Sequence, residues 1–211
     1  MKNKSAFTMI ELVFVIVILG IIASIAMGRM ERDLKQEASE TILSHIRLTQ
    51  QLALRDNKHR SDNNLDWQKS YWQIDFNCTS SCRYIVGSDK DLDSSIDKIE
   101  SAIDPTDGKY LWNDGSTDSD MSNKVLLEDK FGIHTIAPSA GCNGSNSIAF
   151  DYLGRPYISI NTASNDFGTV ISSDCNLTFT MSTDEDNDGN DDNFTITIKA
   201  ETGHSFIVGQ E

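Results

Sequence analysis

Two hydrophobic patterns follow each other in the first quarter of the chain. From Phe7 to Met27 almost every position is apolar, and about 20 apolar residues are the length of a helix that spans a bilayer. After Met27 the apolar residues recur every three or four positions, as in an amphipathic helix. These residues are Met30, Leu34, Ala38, Ile42, Ile46, Thr49 and Ala53. Because no proline interrupts either stretch, the sequence predicts one helix from about Phe7 to Asn57, with His45 as a solvated residue on its surface.

Beyond residue 70 the apolar residues follow the shorter period of β-strands. The predicted strands are Tyr71–Phe76, Arg83–Gly87, Ser147–Tyr152, Tyr157–Asn161, Asn176–Ser182, Phe194–Ala200 and Ser205–Val208. The stretch from Asp89 to Asp129 is rich in Asp, Ser and Gly, and it is expected to form loops with short irregular elements. Its apolar residues should pack on the sheet, and they are Ile96, Ile99, Ile103, Leu111 and Trp112. The predicted fold is α+β, with a long N-terminal helix packed on an antiparallel β-sheet or β-sandwich head domain.

The chain is acidic, with 18 Lys and Arg against 32 Asp and Glu and a net charge of −14. Such a surface repels phosphate backbones, so no nucleic acid is expected as a partner, and divalent cations are more natural ligands. The four histidines are scattered, and the chain has no nucleophile elbow, no phosphate-binding Gly loop and no H-E-x-x-H motif. We therefore expect a protein that is not an enzyme.

Four cysteines follow the apolar segment, namely Cys78, Cys82, Cys142 and Cys175. An even number of cysteines in an exported domain favours disulfides, and three pairings can be drawn among four. The favoured pairing joins Cys78 to Cys82 and Cys142 to Cys175. A zinc site is disfavoured because it would need two C-x2-C pairs, whereas the only close pair here has three intervening residues.

One acid, Glu11, interrupts the apolar segment near its start. A carboxylate at the centre of a bilayer costs roughly 2.5–3.5 kcal/mol, so an acid at this position is unexpected. Lys2 and Lys4 precede the segment, which places its start in the cytoplasm and the bulk of the chain outside. A secretory signal peptide cut after Ala26, or a simple signal anchor, would fit the length and the charge. Neither explains Glu11 or the abrupt change from polar to apolar residues at Ala6-Phe7.

The segment "SAFTMIELVFVIVILGIIASIA" resembles the N-terminus of type IV pilins and type II secretion pseudopilins. The resemblance implies that prepilin peptidase cuts between Ala6 and Phe7 and that the new amino terminus of Phe7 is methylated. It also implies that Glu11 meets the amino-terminal charge of a neighbouring subunit. The family usually has Gly where this chain has Ala6, and Met9 replaces its usual Leu. The implied domains are a leader peptide over residues 1–6, a transmembrane and assembly helix over 7–28, an amphipathic helix over 29–58 and a β-rich head over 59–211.

Two stretches near the end, "SIAFDYLGRPY" and "TITIKAETGHSFI", resemble the C-terminal part of H-type minor pseudopilins, whereas residues 60–140 resemble no family that we can place. Together the resemblances imply a non-catalytic subunit of a type II secretion pseudopilus or a type IV pilus-like filament, which supports protein secretion across the outer membrane. The implied partners are other pilins or pseudopilins, prepilin peptidase, the inner-membrane assembly platform and membrane lipid. The implied location is the bacterial inner membrane, with a single pass and the head in the periplasm. Two alternatives stay open: a minor pilin whose head is a binding or adhesion module, and a simple membrane-anchored exoprotein.

An acidic loop, "STDEDNDGNDDNF", lies between two predicted strands. Alternate acidic residues are typical of Ca²⁺ loops, because this ion takes six to eight oxygen ligands and Gly189 permits a sharp turn. The candidate ligands are Asp184, Asp186, Asp188, Asn190 and Asp192. Thr195 stands where an EF-hand has its bidentate Glu, so a shorter loop closed by Asp192 is expected. The alternative is a solvated acidic hairpin tip without metal.

Overall fold

A 47-residue helix, α1 (Met9–Arg55), runs from the start of the described chain into the head. The computed structural model describes residues 8–60, 65–160, 168–182, 184 and 189–210, and for residues 25–33 and 65 it describes the backbone alone. The first turns of α1 expose their side chains, whereas the members of the predicted apolar stripe from Ala38 to Ala53 are buried. The prediction of a single long helix is therefore confirmed over the described residues.

Two antiparallel sheets of four strands each form the head. The strands are β1 (Trp72–Asn77), β2 (Arg83–Gly87), β3 (Ile133–Ala140), β4 (Ser147–Phe150), β5 (Pro156–Ile158), β6 (Cys175–Met181), β7 (Asn193–Ile198) and β8 (Ser205–Ile207). The first sheet has the order β2-β1-β4-β5 and the second has the order β3-β6-β7-β8. Each predicted strand is present with small shifts at its ends, and the predicted α+β fold is confirmed.

The strand that sequence analysis missed is β3, which forms an edge of the second sheet. Of its eight residues only Ile133 is buried, so it lacks the alternation that identifies a half-buried strand. It also contains Pro138, a residue that lacks an N–H and is confined to edge positions in sheets. These two properties allow an edge strand and hide it from pattern analysis.

Helix α1 packs on strands of both sheets, with contacts to β1 and β4 of the first sheet and to β8 of the second. Between the sheets the ring of Phe76 meets the ring of Phe179 edge-on, with 5.5 Å between their centroids. Burial of such apolar side chains is the main favourable term in folding, at about 25 cal/mol per Å² of apolar surface. One core therefore holds the helix and the two sheets together.

Both predicted disulfides are present in the structure. The bond between Cys78 and Cys82 closes the connection between β1 and β2. The bond between Cys142 and Cys175 joins the turn after β3 to the first residue of β6. The second bond therefore fastens the β3 edge to the centre of its sheet.

The middle of the chain contains short elements, as predicted: the 3-10 helices Lys98–Glu100 and Asn123–Val125, and the short helix α2 (Leu127–Phe131). Ile96 and Leu111 are buried, as expected. The prediction was wrong for Ile99 and Ile103, which are 80% and 55% exposed. The chain after residue 98 runs beside β2, and its alternation turns Glu100, Ala102 and Asp104 inward instead.

His45 is buried, with 4% of its surface exposed, and the prediction of a solvated residue was wrong. It lies three residues after Ile42 and four before Thr49, and both neighbours are buried. Residues at these spacings share one face of a helix. The apolar stripe therefore carries a polar residue into the core at this position.

Candidate functional site: the assembly helix, its contacts with the head, and the acidic loops

The first part of α1 presents a continuous apolar surface without a partner among the described residues. The exposed large apolar side chains are Met9, Ile10, Leu12, Val13, Phe14, Val15, Ile16, Val17, Ile18, Leu19, Ile21 and Ile22. A helix that is apolar on all sides is normally buried in a protein core, a membrane or an assembly. Within the described ranges, no helix is both long enough and apolar enough to cross a membrane.

Glu11 lies on this surface, in the first turn of α1. Its carboxylate oxygen Oε2 accepts the backbone N–H of Thr8 at 3.5 Å and the Thr8 hydroxyl at 3.4 Å. This arrangement is a capping box, which offers an acceptor to an N–H at the helix start that has no partner inside the helix. Both contacts are long, so the carboxylate retains most of its capacity to accept further hydrogen bonds. The predicted cleavage residues Ala6 and Phe7 lie outside the described residues.

A buried polar cluster joins the second part of α1 to the head. The Nδ1 atom of His45 lies 2.6 Å from the hydroxyl of Tyr84 in β2, and its Nε2 atom lies 3.5 Å from the carboxylate of Asp104. Lys124 pairs with the same carboxylate at 2.7 Å and donates to the Thr106 hydroxyl at 2.6 Å. Three segments that are distant in sequence thus meet at His45.

The electrostatics of the polar cluster favour a neutral imidazole beside an ionised acid. Burial lowers the pKa of His45, although the Asp104 carboxylate acts in the opposite direction. Burial disfavours ionisation of Asp104, but the hydrogen bonds from Lys124 and Thr106 outweigh it and lower the pKa of Asp104 to about 2. In this arrangement the Tyr84 hydroxyl donates a hydrogen bond to Nδ1, and the N–H group at Nε2 faces the Asp104 carboxylate.

The His-Asp pair in this cluster resembles part of a catalytic triad, but its surroundings do not suit catalysis. Tyr84 has no exposed surface, and His45 and Asp104 are buried as well. A nucleophile or a general base must reach a substrate within hydrogen-bond distance. The cluster therefore acts as a connection between α1 and the head.

A second connection explains the two C-terminal stretches singled out in the sequence. The side-chain amide of Gln50 on α1 donates to the carbonyl oxygens of Gly154 and Thr202, each at 2.9 Å. Gly154 belongs to the turn between β4 and β5, and Gly203 lies in the turn before β8. A Cβ atom on Gly203 would collide with the Gly154 carbonyl oxygen and with the Gln50 amide. The two turns are thus in direct contact, and Gln50 of the helix joins them.

The turn between β4 and β5 is organised by Asp151, which is fully buried. Its carboxylate accepts the backbone N–H groups of Leu153 and Arg155 and pairs with the Arg155 guanidinium at 2.7 Å. The Tyr157 hydroxyl also donates to it, at 3.1 Å. These bonds satisfy the buried charge and fix the position of Gly154 under Gln50.

The predicted calcium ligands are only partly described, since Asp186 and Asp188 lie outside the described residues. Asp184 accepts the backbone N–H of Gly189 at 3.1 Å, as expected for a loop that curls back on itself. Asp192 lies immediately before β7, and its carboxylate is 3.8 Å from the ammonium group of Lys35 on α1. The calcium site stays a prediction.

Sequence analysis missed a second acidic group, formed by Asp89, Asp91 and Asp93 just after β2. One carboxylate oxygen from each of the three lies within 4.8 Å of the others. Asp89 accepts hydrogen bonds from the backbone N–H groups of Leu92 and Ser94 at 2.6 and 2.9 Å. These bonds compensate for the burial of its carboxylate. These three acids are spaced by two residues, which is the same pattern that indicates the acidic loop between β6 and β7. The pattern could therefore have identified this group from the sequence as well.

Comparison with known proteins bears on the N-terminal segment alone. Residues 1–27 match the family model of the prokaryotic N-terminal methylation motif. No curated protein and no solved structure matches the chain. The matched residues include Ala6, Phe7 and Glu11, the positions assigned to cleavage, methylation and assembly. The chain therefore carries the signature of type IV pilins and pseudopilins, whose precursors are processed by prepilin peptidase.

Proposed function

We propose that this chain is a non-catalytic subunit of a type II secretion pseudopilus or a type IV pilus-like filament. Prepilin peptidase cuts the precursor between Ala6 and Phe7, and the new amino terminus of Phe7 is then methylated. The methylation motif over residues 1–27 carries this proposal. The exposed apolar surface of α1, which continues as one helix into a folded head, supports it.

Assembly follows from the cost of leaving Glu11 alone in an apolar environment. Within the described part of the chain, the carboxylate has only the two long contacts to Thr8. A positively charged amino terminus from a second subunit offers a charge-assisted bond, which is shorter and about twice as strong as a neutral one. Because the same helix surface is apolar, packing of subunits along α1 buries the pair and removes it from water.

The precursor is first held in the bacterial inner membrane by residues 7–28, with its head in the periplasm. Its partners are other pilins or pseudopilins and the inner-membrane assembly platform. The resemblance of both C-terminal stretches to H-type minor pseudopilins favours a role in protein secretion across the outer membrane.

Mass spectrometry of the mature chain tests the processing step. The chain should begin at Phe7, carry one methyl group at its amino terminus, and be lighter by the four hydrogens lost in two disulfides. A mature protein that keeps residues 1–6 in cells with an active prepilin peptidase would contradict the proposal.

A pair of matched variants tests assembly. Glu11→Ala should leave insertion and cleavage intact and abolish incorporation into filaments, because the incoming amino terminus loses its counter-charge. Glu40→Ala removes an acid from an exposed position of the same helix within the head, and it should assemble normally. Equal assembly of both variants would show that Glu11 is not needed, and the absence of filaments from the unmodified chain would indicate a simple anchored exoprotein.

A further inference from the structure

The outer face of the first sheet carries a carboxylate without a partner. Asp75 lies in the middle of β1, between Ile85 of β2 and Ser147 of β4. Across residues 8–60, 65–160, 168–182, 184 and 189–210, its side chain has no hydrogen bond and no ion pair, although it is half-buried. Buried polar groups in native proteins normally have partners, so an exception asks for an explanation.

The carboxylate lies in a recess of about 100 Å³. The polar neighbours of Asp75 in this recess are already engaged with other groups. The Ser147 hydroxyl donates to the side-chain oxygen of Gln73 at 2.8 Å, and the Ser95 hydroxyl donates to Asp93 at 2.7 Å. No Lys, Arg or His is among the described residues that line the recess. Consistent with this, burial alone raises the pKa of Asp75 to about 6.

Two isoleucines form the apolar part of the recess wall, and the loop that carries one of them is held in place. Ile85 forms one side, and Ile96 of the following loop forms another. The loop can approach because Gly87 has no side chain, and a Cβ there would collide with Ile96 and lie 2.9 Å from the Glu100 carbonyl oxygen. Trp112 fixes the loop by donating its indole N–H to the Ile96 carbonyl at 3.0 Å. The recess is thus a built feature of the fold.

We propose that the Asp75 recess binds the end of a lysine side chain presented by a partner protein. Ile85 and Ile96 can contact the methylene stem, and the Asp75 carboxylate that lines the recess meets the ammonium group. A divalent metal ion fits less well, because the recess offers one carboxylate where Ca²⁺ takes six to eight oxygens. The guanidinium group of arginine is planar and larger than an ammonium group, so it fits a recess of about 100 Å³ less well. The net charge of −14 favours a cationic partner in general.

The proposal does not rest on filament assembly and can be tested on the full chain in non-ionic detergent. The probe is Nα-acetyl-lysine methylamide, titrated at pH 7.5 and constant ionic strength while amide resonances are followed by NMR. Resonances of Gln73, Asp75, Ser147 and the loop at Ser95 should shift and saturate at a concentration on the order of millimolar. The norleucine analogue, which has the same stem without the ammonium group, should cause no saturable shift.

Two isosteric variants make the test specific. Asp75→Asn should weaken lysine binding at least tenfold, because it removes the charge and keeps the shape. Asp129→Asn removes the same charge from an exposed position of α2 and should bind the probe as the unmodified chain does. Equal binding of the norleucine analogue, or unchanged lysine binding by Asp75→Asn, would overturn the proposal. Saturation of the same resonances by CaCl₂ at lower concentration would overturn it in favour of a metal site.

Discussion

At the scale of single residues, the buried side chain of His45 and the half-buried side chain of Asp75 respond to pH in opposite directions. His45 lies in the core beside Asp104 and Tyr84, where burial lowers its pKa. Asp75 lies in its recess without a partner among the described residues, where burial raises its pKa to about 6. Each shift is also a statement about stability, because the folded and unfolded chains take up protons at different pH.

The buried position of His45 predicts that the free energy of unfolding falls in acid. The folded chain resists protonation of His45, whereas the unfolded chain takes up the proton near the ordinary pKa of 6.5. The contribution of the neutral His45 to the stability of the folded chain is therefore present above pH 6.5 and is lost as the pH falls below it. Urea unfolding of the full chain between pH 5 and 8 should show this slope, and His45→Gln should flatten it. At pH 8 the variant should lose about 1–3 kcal/mol, because the Tyr84 hydroxyl loses its acceptor.

Asp75→Asn should behave in the opposite way. The folded carboxyl group holds its proton up to a pH of about 6, against an ordinary pKa of 3.8. The protonated carboxyl group therefore makes its full contribution to the stability of the folded chain below pH 3.8, and this contribution is lost as the pH rises through about 6. At pH 8 the variant should be more stable than the unmodified chain by about 1 kcal/mol, and the difference should vanish near pH 4. A variant less stable at pH 8 would show that Asp75 has a favourable partner in the folded chain.

At the scale of elements, the contact between two turns sets the position of α1 on the head. Gln50 bonds to Gly154 in one turn and to Thr202 in the other. Arg47, one turn earlier on the helix, donates to the Ser205 carbonyl of β8 at 2.8 Å. The helix is therefore fixed by side chains to the backbone of both sheets.

Gly203→Ala should disrupt this junction. Gly203 has a φ of 66°, in the left-handed region that favours glycine, and an added Cβ would collide with the Gly154 carbonyl oxygen. Gly108→Ala is the matched control, because Gly108 has a φ of 72° and open space around the position of a Cβ. The control should lose about 1 kcal/mol, and Gly203→Ala should lose about 2–4 kcal/mol in chemical unfolding. Equal losses would mean that the two turns can separate at little cost.

The loop between β6 and β7 should bind calcium. With a dissociation constant of about 10⁻³ M, as in extracellular modules, 10 mM CaCl₂ should raise the free energy of unfolding by about 1.4 kcal/mol. The same concentration of MgCl₂ should do less, because Mg²⁺ demands a stricter geometry. Asp184→Asn should abolish the calcium effect, whereas Asp91→Asn in the other acidic group should retain it. A calcium effect that survives Asp184→Asn would locate the ion elsewhere.

Elements with strong periodicity could be predicted from the sequence, and the contacts between them could not. The stripe of α1 and the alternating strands follow from burial on one face, which leaves a regular pattern. Strand β3 left no pattern because its side chains are mostly exposed. The polarity of His45 indicates solvent exposure, but its position on the stripe three residues after Ile42 buries it, and its partner Asp104 lies 59 residues further along the chain. The Asp75 recess depends on a close approach at Gly87, which a linear sequence does not reveal.

At the scale of the whole molecule, the second disulfide stabilises the head more than the first. The bond between Cys142 and Cys175 closes a loop of 33 residues, whereas Cys78 and Cys82 are four residues apart. A longer loop loses more freedom in the unfolded chain when it is closed. The β3 edge, which has few buried side chains of its own, depends on this bond.

Removal of the second disulfide should therefore cost about 3–4 kcal/mol. The double variant Cys142→Ser and Cys175→Ser should show this loss in chemical unfolding, together with faster hydrogen exchange in β3. Cys78→Ser with Cys82→Ser is the control and should cost less, because its loop is short. If the control costs as much, the local pair stabilises the folded hairpin itself.

The length of α1 has a mechanical consequence. Its 47 residues form a rod of about 70 Å, at about 1.5 Å per residue. Tension applied near Glu11 would travel along the rod to Arg47 and Gln50, whose bonds lead into the second sheet and into the turn that borders the first. Tension on the N-terminal end of α1 is thus shared between the two sheets of the head.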